Sequence, residues 1–348
     1  MDDSAHISEV AAKVMQILPI GWAIAAVLAL YREDMFYWWF MPFVGLAGAM
    51  LSNAVPVGGG VVFIPTLHLI GTVQHHQSVA FSVATQSMSN GVFGLLAWLK
   101  KDPNAIRWEL LPFTVIPAQV AYVIVNYYLP GHLLHPSHCR ILMATYSLAV
   151  AMFVFTMYRQ GGLDEAMRKA RTYKSTEMAR FSRMSGEDGK DIPEPPEAGR
   201  AEGNAEPLKL PPANVLVLVS ICCFVDGWVL VANLGVGNSL TSFLVLVVLA
   251  GVDTQSALVT GIVTGGWTAM VAFAVQVHKG NLLLPLWLMG LPGTYVGASV
   301  APAVNKALGP QRVQLFFGIF LCISAAVLIS TSWRHAAETF GFVEPEQG

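Results

Sequence analysis

Two stretches of this chain place glycine and short polar side chains inside otherwise apolar segments. In the first, Asn53 precedes Gly58, Gly59 and Gly60 within NAVPVGGGVVFIPTLHLIG; in the second, Asn233, Gly235, Gly237, Asn238 and Ser239 fall within NLGVGNSLTSFLVLVVLAG. Neither stretch carries a lysine or arginine, so the chemistry on offer is anion binding by backbone. A helix that restarts after a glycine turn leaves its first N–H groups unpaired and carries about half a positive charge at that end. In hydrocarbon, irregular backbone survives only when buried in protein or lining a polar cavity. A single glycine cluster is equally well explained by close helix packing. Recurrence of the pattern in the second half of the chain favours a site.

Neutral polar residues follow each stretch at helical spacing. Ser82, Thr85, Gln86, Ser87, Ser89 and Asn90 follow the first, and Thr260, Thr264, Thr268 and Gln276 the second. Thr85 with Ser89 and Gln86 with Asn90 are i,i+4 pairs, while Thr260, Thr264 and Thr268 form one stripe. Hydrogen-bond donors without a fixed countercharge suit an anion that must also be released. The plain structural account is that Ser and Thr bond their own helix backbone and that Asn53, Asn233, Asn238 and Ser239 cap helix ends. The expected substrate-binding set is Asn53, Gly58, Gly59, Gly60, Thr85, Gln86, Ser89, Asn233, Gly235, Gly237, Asn238, Ser239, Thr260 and Thr264, with Gln119 and Thr294 on an opposite wall. Asp226, in CCFVDGWVL, is the one carboxylate well inside an apolar segment. An intramembrane acid is costly, which makes it the proton-coupling candidate; a bond to a helix end is the alternative.

Other candidates carry less. His132, His135 and His138 have metal-like spacing but no acid or cysteine nearby, and with His75 and His76 they read as loop residues on one face. His68, inside the first glycine stretch, is a further candidate for substrate contact. Cys139, Cys222, Cys223 and Cys322 lack ligand or disulfide spacing and read as packing residues. No metal and no cofactor is expected.

The elements that would position these residues follow from composition. With 54% hydrophobic and only 12% charged residues, the chain is too apolar for a soluble domain and reads as an all-α, polytopic membrane bundle. Nothing basic and aromatic suggests nucleic acid. Residues 1–36 hold a polar tail and an extra helix from Ile17 to Leu30. Residues 37–158 form a first repeat, with a broken segment from Phe40 to Gly71 and spans at Ser78–Leu99, Leu110–Leu129 and Cys139–Tyr158. Residues 159–212, rich in charge and proline, read as a cytoplasmic, largely disordered linker. Residues 213–333 repeat the pattern with a broken segment at Ala213–Ala250 and spans at Gln255–Val277, Leu282–Val304 and Val313–Ser332, before a tail at 334–348. Gln77 and Ser78 align with Gln255 and Ser256, Lys100 and Lys101 with His278 and Lys279, Pro117 with Pro292, and Arg140 with Arg312. Such duplication is common in secondary transporters. Positive charge favours the linker side as cytoplasmic. Whether each broken segment crosses or returns as a hairpin stays open, with the hairpin preferred because its half-segments are short.

The triplet Gly58-Gly59-Gly60 followed by Pro65, set in this duplicated arrangement, resembles the TauE/SafE sulfite-exporter family across both halves. The second half departs from the motif, with Gly235-Val236-Gly237-Asn238 for the triplet and Phe243 in place of the proline. The resemblance implies transport of a small sulfur-containing or organic anion, such as sulfite, a sulfonate or sulfoacetate, by an ion-coupled mechanism without ATP. The implied partners are that anion, membrane lipid and a coupling proton or sodium ion, with the oligomeric state open and the plasma membrane the expected location. An anion channel and, more remotely, an integral-membrane enzyme are the alternatives.

Overall fold

In the computed structural model, residues 3–29, 37–55, 58–70, 73–129, 136–159 and 210–339 are described, and they contain helices and connecting turns but no strand. The body of the expected linker, the charged turn at 31–34, His132 and His135 and the end of the C-terminal tail lie outside them. Four helical stretches are long and apolar enough to cross a membrane: Pro103–Tyr128, His138–Thr156, Ala213–Leu234 and Thr254–His278.

The helices are α1 (Asp3–Ala29), α2 (Met41–Ala54), α3 (Gly60–Ile70), α4 (His75–Met88), α5 (Leu95–Lys101), α6 (Leu111–Val123), α7 (Pro136–Arg159), α8 (Ala213–Asp226), α9 (Ser239–Val248), α10 (Thr254–His278), α11 (Leu284–Leu308) and α12 (Pro310–Thr339). Wider π turns at Ser89–Gly94, Ile124–Tyr128 and Gly227–Val231 extend α4, α6 and α8. The helix α1 starts well before the apolar stretch at Ile17. Its polar first half is held by Ser8, whose hydroxyl donates to Lys100 O (3.0 Å), and by Tyr295, which donates to Met15 O (2.8 Å).

Small residues bring the helices together. Against α2, a Cβ at Gly297 of α11 would stand 2.9 Å from Met50 N, and one at Gly45 of α2 would stand 2.9 Å from Thr294 Oγ1. On the other side of the bundle a Cβ at Gly227 would meet Ala118 Cα of α6 at 2.7 Å. Thus α2 packs on α11 and α8 on α6, while α4 packs on α10 and α7 on α12. Apolar association in lipid depends on such close backbone contact, because lipid tails are as apolar as leucine.

The direction of each helix follows from who touches whom. Along α6, Thr114 meets Thr264, Gln119 donates to Trp267 O, and Tyr122 accepts from Gln276, so α6 runs parallel to α10. The helix pair α4–α5 leads into α6 through a short connection and runs antiparallel to it, and therefore antiparallel to α10. Two lysines mark the opposite ends. Lys101 Nζ donates to Pro302 O of α11 (3.0 Å), and Lys279 Nζ donates to Asn126 O and Oδ1 after α6 (2.9 Å each). Desolvation at this contact pulls the Lys279 ammonium below the usual lysine range.

The helices flanking each glycine stretch pack on one another. Met41 at the start of α2 shares a cluster with Phe63 and Leu67 of α3. Val219 of α8 likewise clusters with Val245 of α9, with Val215 and Leu249 packed against them.

Candidate functional site

The helix α4 presents one stripe to the second glycine stretch. His75, Ser82 and Gln86 lie at i, i+7 and i+11, which on a 3.6-residue period is one face. His75 Nε2 donates to Asn233 O (3.0 Å), Ser82 Oγ donates to Gly235 O (2.8 Å), and Gln86 Nε2 donates to the same carbonyl (2.7 Å). One step further, Gln86 Oε1 accepts from Gly237 N–H (2.9 Å). The helix before the break ends with Gly235 N–H bonded to Val231 O (3.1 Å), and from there to Gly237 α4 supplies the partners that buried backbone requires. Gly235 has φ of +57°, a left-handed conformation in which a side chain is strained.

The first glycine stretch meets the second at backbone distance. A Cβ at Gly58 would lie 3.0 Å from Gly237 Cα and 2.5 Å from Gln86 Oε1, and one at Gly60 would lie 2.5 Å from Gly235 O. At Gly59 the nearest neighbour would be the Phe63 ring, at 2.6 Å. The first turns of α3 and α9 thus begin on either side of Gln86. In the first turn of α3 the N–H groups of Val61, Val62 and Phe63 already bond Gly58 O and Gly59 O, so what the two helix starts share is the positive end of each dipole.

At the start of α9 two buried polar atoms have no hydrogen-bond partner, Asn238 Oδ1 and Ser239 Oγ, and on α4 Thr85 Oγ1 has none either. Asn238 Nδ2 is used, donating to Thr114 O (3.0 Å), and Ser239 packs on Gly261 and Gly265 of α10. Thr264 is paired with Thr114 (3.0 Å) beside them. Asp226 is buried, with Oδ1 accepting from Thr241 Oγ1 in the first turn of α9 and Oδ2 without a partner.

Other expected residues serve elsewhere. Asn53 donates to Ala49 O (2.8 Å) and Ser89 Oγ (2.8 Å), joining Ser52 and Asn90 in a network between α2 and the first π turn. The Asn233 side chain bonds back to Trp228 O and Val229 O in its own helix (3.1 Å each). Thr260 accepts from Arg107 N–H (3.0 Å) at the connection before α6. Gln119 and Gln276 tie α6 to α10, and Thr294 bonds Gly290 O of its own helix (2.9 Å). Two residues outside the expected binding set belong to the cluster. Thr114 is the one Ser or Thr on the apolar α6, and His75 reads as a loop residue until α4 is seen to begin with it.

Among the described residues no group of three or more His, Cys, Asp or Glu could hold a metal ion. Comparison with protein families matches residues 41–328 to the model described as sulfite exporter TauE/SafE. Neither curated proteins nor solved structures gave a match.

Proposed function

From the premise that this chain is an integral membrane protein belonging to the TauE/SafE sulfite exporter family, we propose that it is a secondary transporter binding its anion between the starts of α3 and α9. The substrate class is a small sulfur-containing or organic anion of the sulfite, sulfonate or sulfoacetate type. The carrying observation is the Gln86 amide oxygen held by Gly237 N–H. That oxygen stands where an anion oxygen would sit, and a substrate would displace it to reach the same N–H and those of the first turn of α9.

Two halves related by inversion, 37–158 and 213–333, each contribute a broken re-entrant segment. The antiparallel course of α4–α5 and α10 and the reciprocal pairing of α2 with α11 and α6 with α8 support this reading. The linker lies on the cytoplasmic side, and the plasma membrane is the location. Gly58, Gly59, Gly60, Gly235, Gly237, Asn238, Ser239, Thr85 and Gln86 line the site; Asn53, Ser89, Asn233, Thr260 and Thr264 support it from behind. Asp226 serves coupling. Its carboxyl contacts Thr241 at the same helix start as the anion, so two negative charges would compete there, and a proton or sodium ion arriving with the anion removes the conflict.

The test is uptake into proteoliposomes of sulfite, sulfoacetate and thiosulfate under imposed pH or sodium gradients. Saturable, gradient-driven uptake is expected, with Gly58→Ala lowering it at least about tenfold while the protein stays monodisperse and helical. Normal uptake by that variant removes the site from the glycines, and unsaturated flux indifferent to either gradient makes the protein a channel.

A further inference from the structure

We propose that His68, His75 and Arg140 form a second oxyanion site, on the approach to the glycine stretches, which takes up its anion together with a proton on His68. The inference rests on the anion-transport reading above and stands on a separate set of contacts.

The hydrogen bonds fix the tautomers. Asn233 O can only accept, so His75 Nε2 carries a proton and donates to it (3.0 Å). A neutral His75 then has a bare Nδ1, and that nitrogen faces His68 Nε2 at 3.4 Å. His68 must therefore donate through Nε2. Its remaining nitrogen, Nδ1, is a bare acceptor, and it is buried without a partner. The ring planes are 30° apart with centroids 5.4 Å apart. The chain of donors runs from His68 to His75 to the backbone two residues before Gly235.

Arg140 of α7 supplies the second unused group: its Nε is also buried without a hydrogen bond. Among the described residues, the charged and titratable groups acting on the histidine pair are Arg140 and His76. Arg140 is carried on α7, which touches the Ala232–Leu234 turn that bears Asn233 O; an unpaired guanidinium donor on that helix, with an imidazole that can gain a donor by taking one proton, makes a receptor for an oxyanion. Guanidinium and imidazolium N–H groups form charge-assisted bonds to sulfonate or sulfite oxygens, roughly twice as strong as neutral ones. His68 lies in the last turn of α3, where the helix dipole favours a cation. No bond other than N–H is made or broken: the proton comes from water on the His side and returns to it when the anion moves on.

The site is placed on one face. His75 opens α4, and Arg140 lies near the start of α7, whose far end leads into the linker. The pair therefore stands on the side opposite Lys101 and the linker, at the end of α4 from which the stripe of Ser82 and Gln86 runs along the helix.

The experiment uses the full-length protein in nanodiscs with methanesulfonate, thiosulfate and sulfoacetate, none of which titrates near neutral pH. Calorimetry in buffers of different ionisation heat counts protons taken up per anion, and nitrogen-15 spectra of labelled histidine report the tautomers. Gln86→Glu, which fills the inner site with a tethered carboxylate, should retain binding at the outer site with uptake of about one proton. Adding His68→Gln or Arg140→Gln to it should weaken that residual binding by at least about tenfold and abolish the proton uptake. The His68 Nδ1 resonance should change from a bare to a protonated nitrogen on saturation. Unchanged residual binding in the His68→Gln and Arg140→Gln backgrounds, or a His68 Nδ1 that stays bare at saturation, overturns the proposal. If Gly58→Ala transports normally while the histidine resonance still responds, the inner-site reading fails and the outer site stands.

Discussion

Gln86 is the residue that holds the second glycine stretch to α4, since one amide serves both Gly235 O and Gly237 N–H. Leaving a buried backbone group unpaired costs about 1–3 kcal/mol, so its removal penalises the fold as well as the site. Replacing it with glutamate keeps the shape and keeps an acceptor on Gly237 N–H, but makes that acceptor a tethered anion competing with substrate and leaves Gly235 O to Ser82 Oγ alone. Uptake should show an apparent KM raised by at least about tenfold, with a lowered unfolding temperature from the lost donor; an unchanged KM would mean that substrate does not visit Gly237. Gln86 and the glycines were legible in the sequence because both types are conspicuous in an apolar context. The division of labour among the neighbouring hydroxyls was not. Thr260 and Thr264 share one stripe, yet Thr260 is consumed by Arg107 N–H and Thr264 by Thr114, and only the partner across the interface decides which is which.

At the scale of elements, contact between helices depends on where no side chain intrudes. The face of α11 that carries Gly290, Gly293 and Gly297 receives α2, and a Cβ at Gly297 would meet Ala49 Cβ at 3.1 Å as well as Met50 N. Overpacking such a seam costs about 1–3 kcal/mol or more. Gly297→Leu should therefore lower the unfolding temperature in detergent by several degrees and broaden the elution profile, whereas Val296→Leu, on the exposed side of α11, should change neither. Equal behaviour of the two variants would remove the seam from the account. The all-helical character of the described residues and the four helical stretches long and apolar enough to cross a membrane follow from hydropathy, since every crossing segment must satisfy its backbone internally. The π turns do not: Ser89–Gly94 and Gly227–Val231 are shifts of hydrogen-bond register, which depend on packing against α2 and α6 rather than on local composition. The polar start of α1 was likewise illegible, because Ser8 and Met15 are held by residues some 90 to 280 positions away.

For the whole molecule, the informative feature is a pair of matched contacts at opposite ends of the bundle. Lys101 bonds the last third of α11 and covers the Trp98 ring at 4.7 Å; Lys279 bonds the end of the α6 extension and lies 5.7 Å from the Tyr127 ring. Each joins the end of one element, α5 or α10, to an element far away in the sequence, α11 or the α6 extension. On the transporter reading proposed above, alternating access needs one end to open while the other stays shut, and each lysine contact would have to break for its end to open. A hydrogen bond from a charged group contributes about 1.5–3 kcal/mol, and 1.4 kcal/mol is a tenfold change in an equilibrium. Removing one lysine should therefore bias the protein towards opening at that end by roughly ten- to a hundredfold. Lys101→Met, which keeps the stem, should speed hydrogen exchange in the connection after α5 and at the end of α11. Lys279→Met should do so in the α6 extension and the turn after α10, each leaving the other end protected and each slowing net uptake. The double variant should release both ends and leak substrate down its gradient. Exchange that rises equally at both ends in either single variant would show that the lysines stabilise the bundle generally and do not govern its two ends separately.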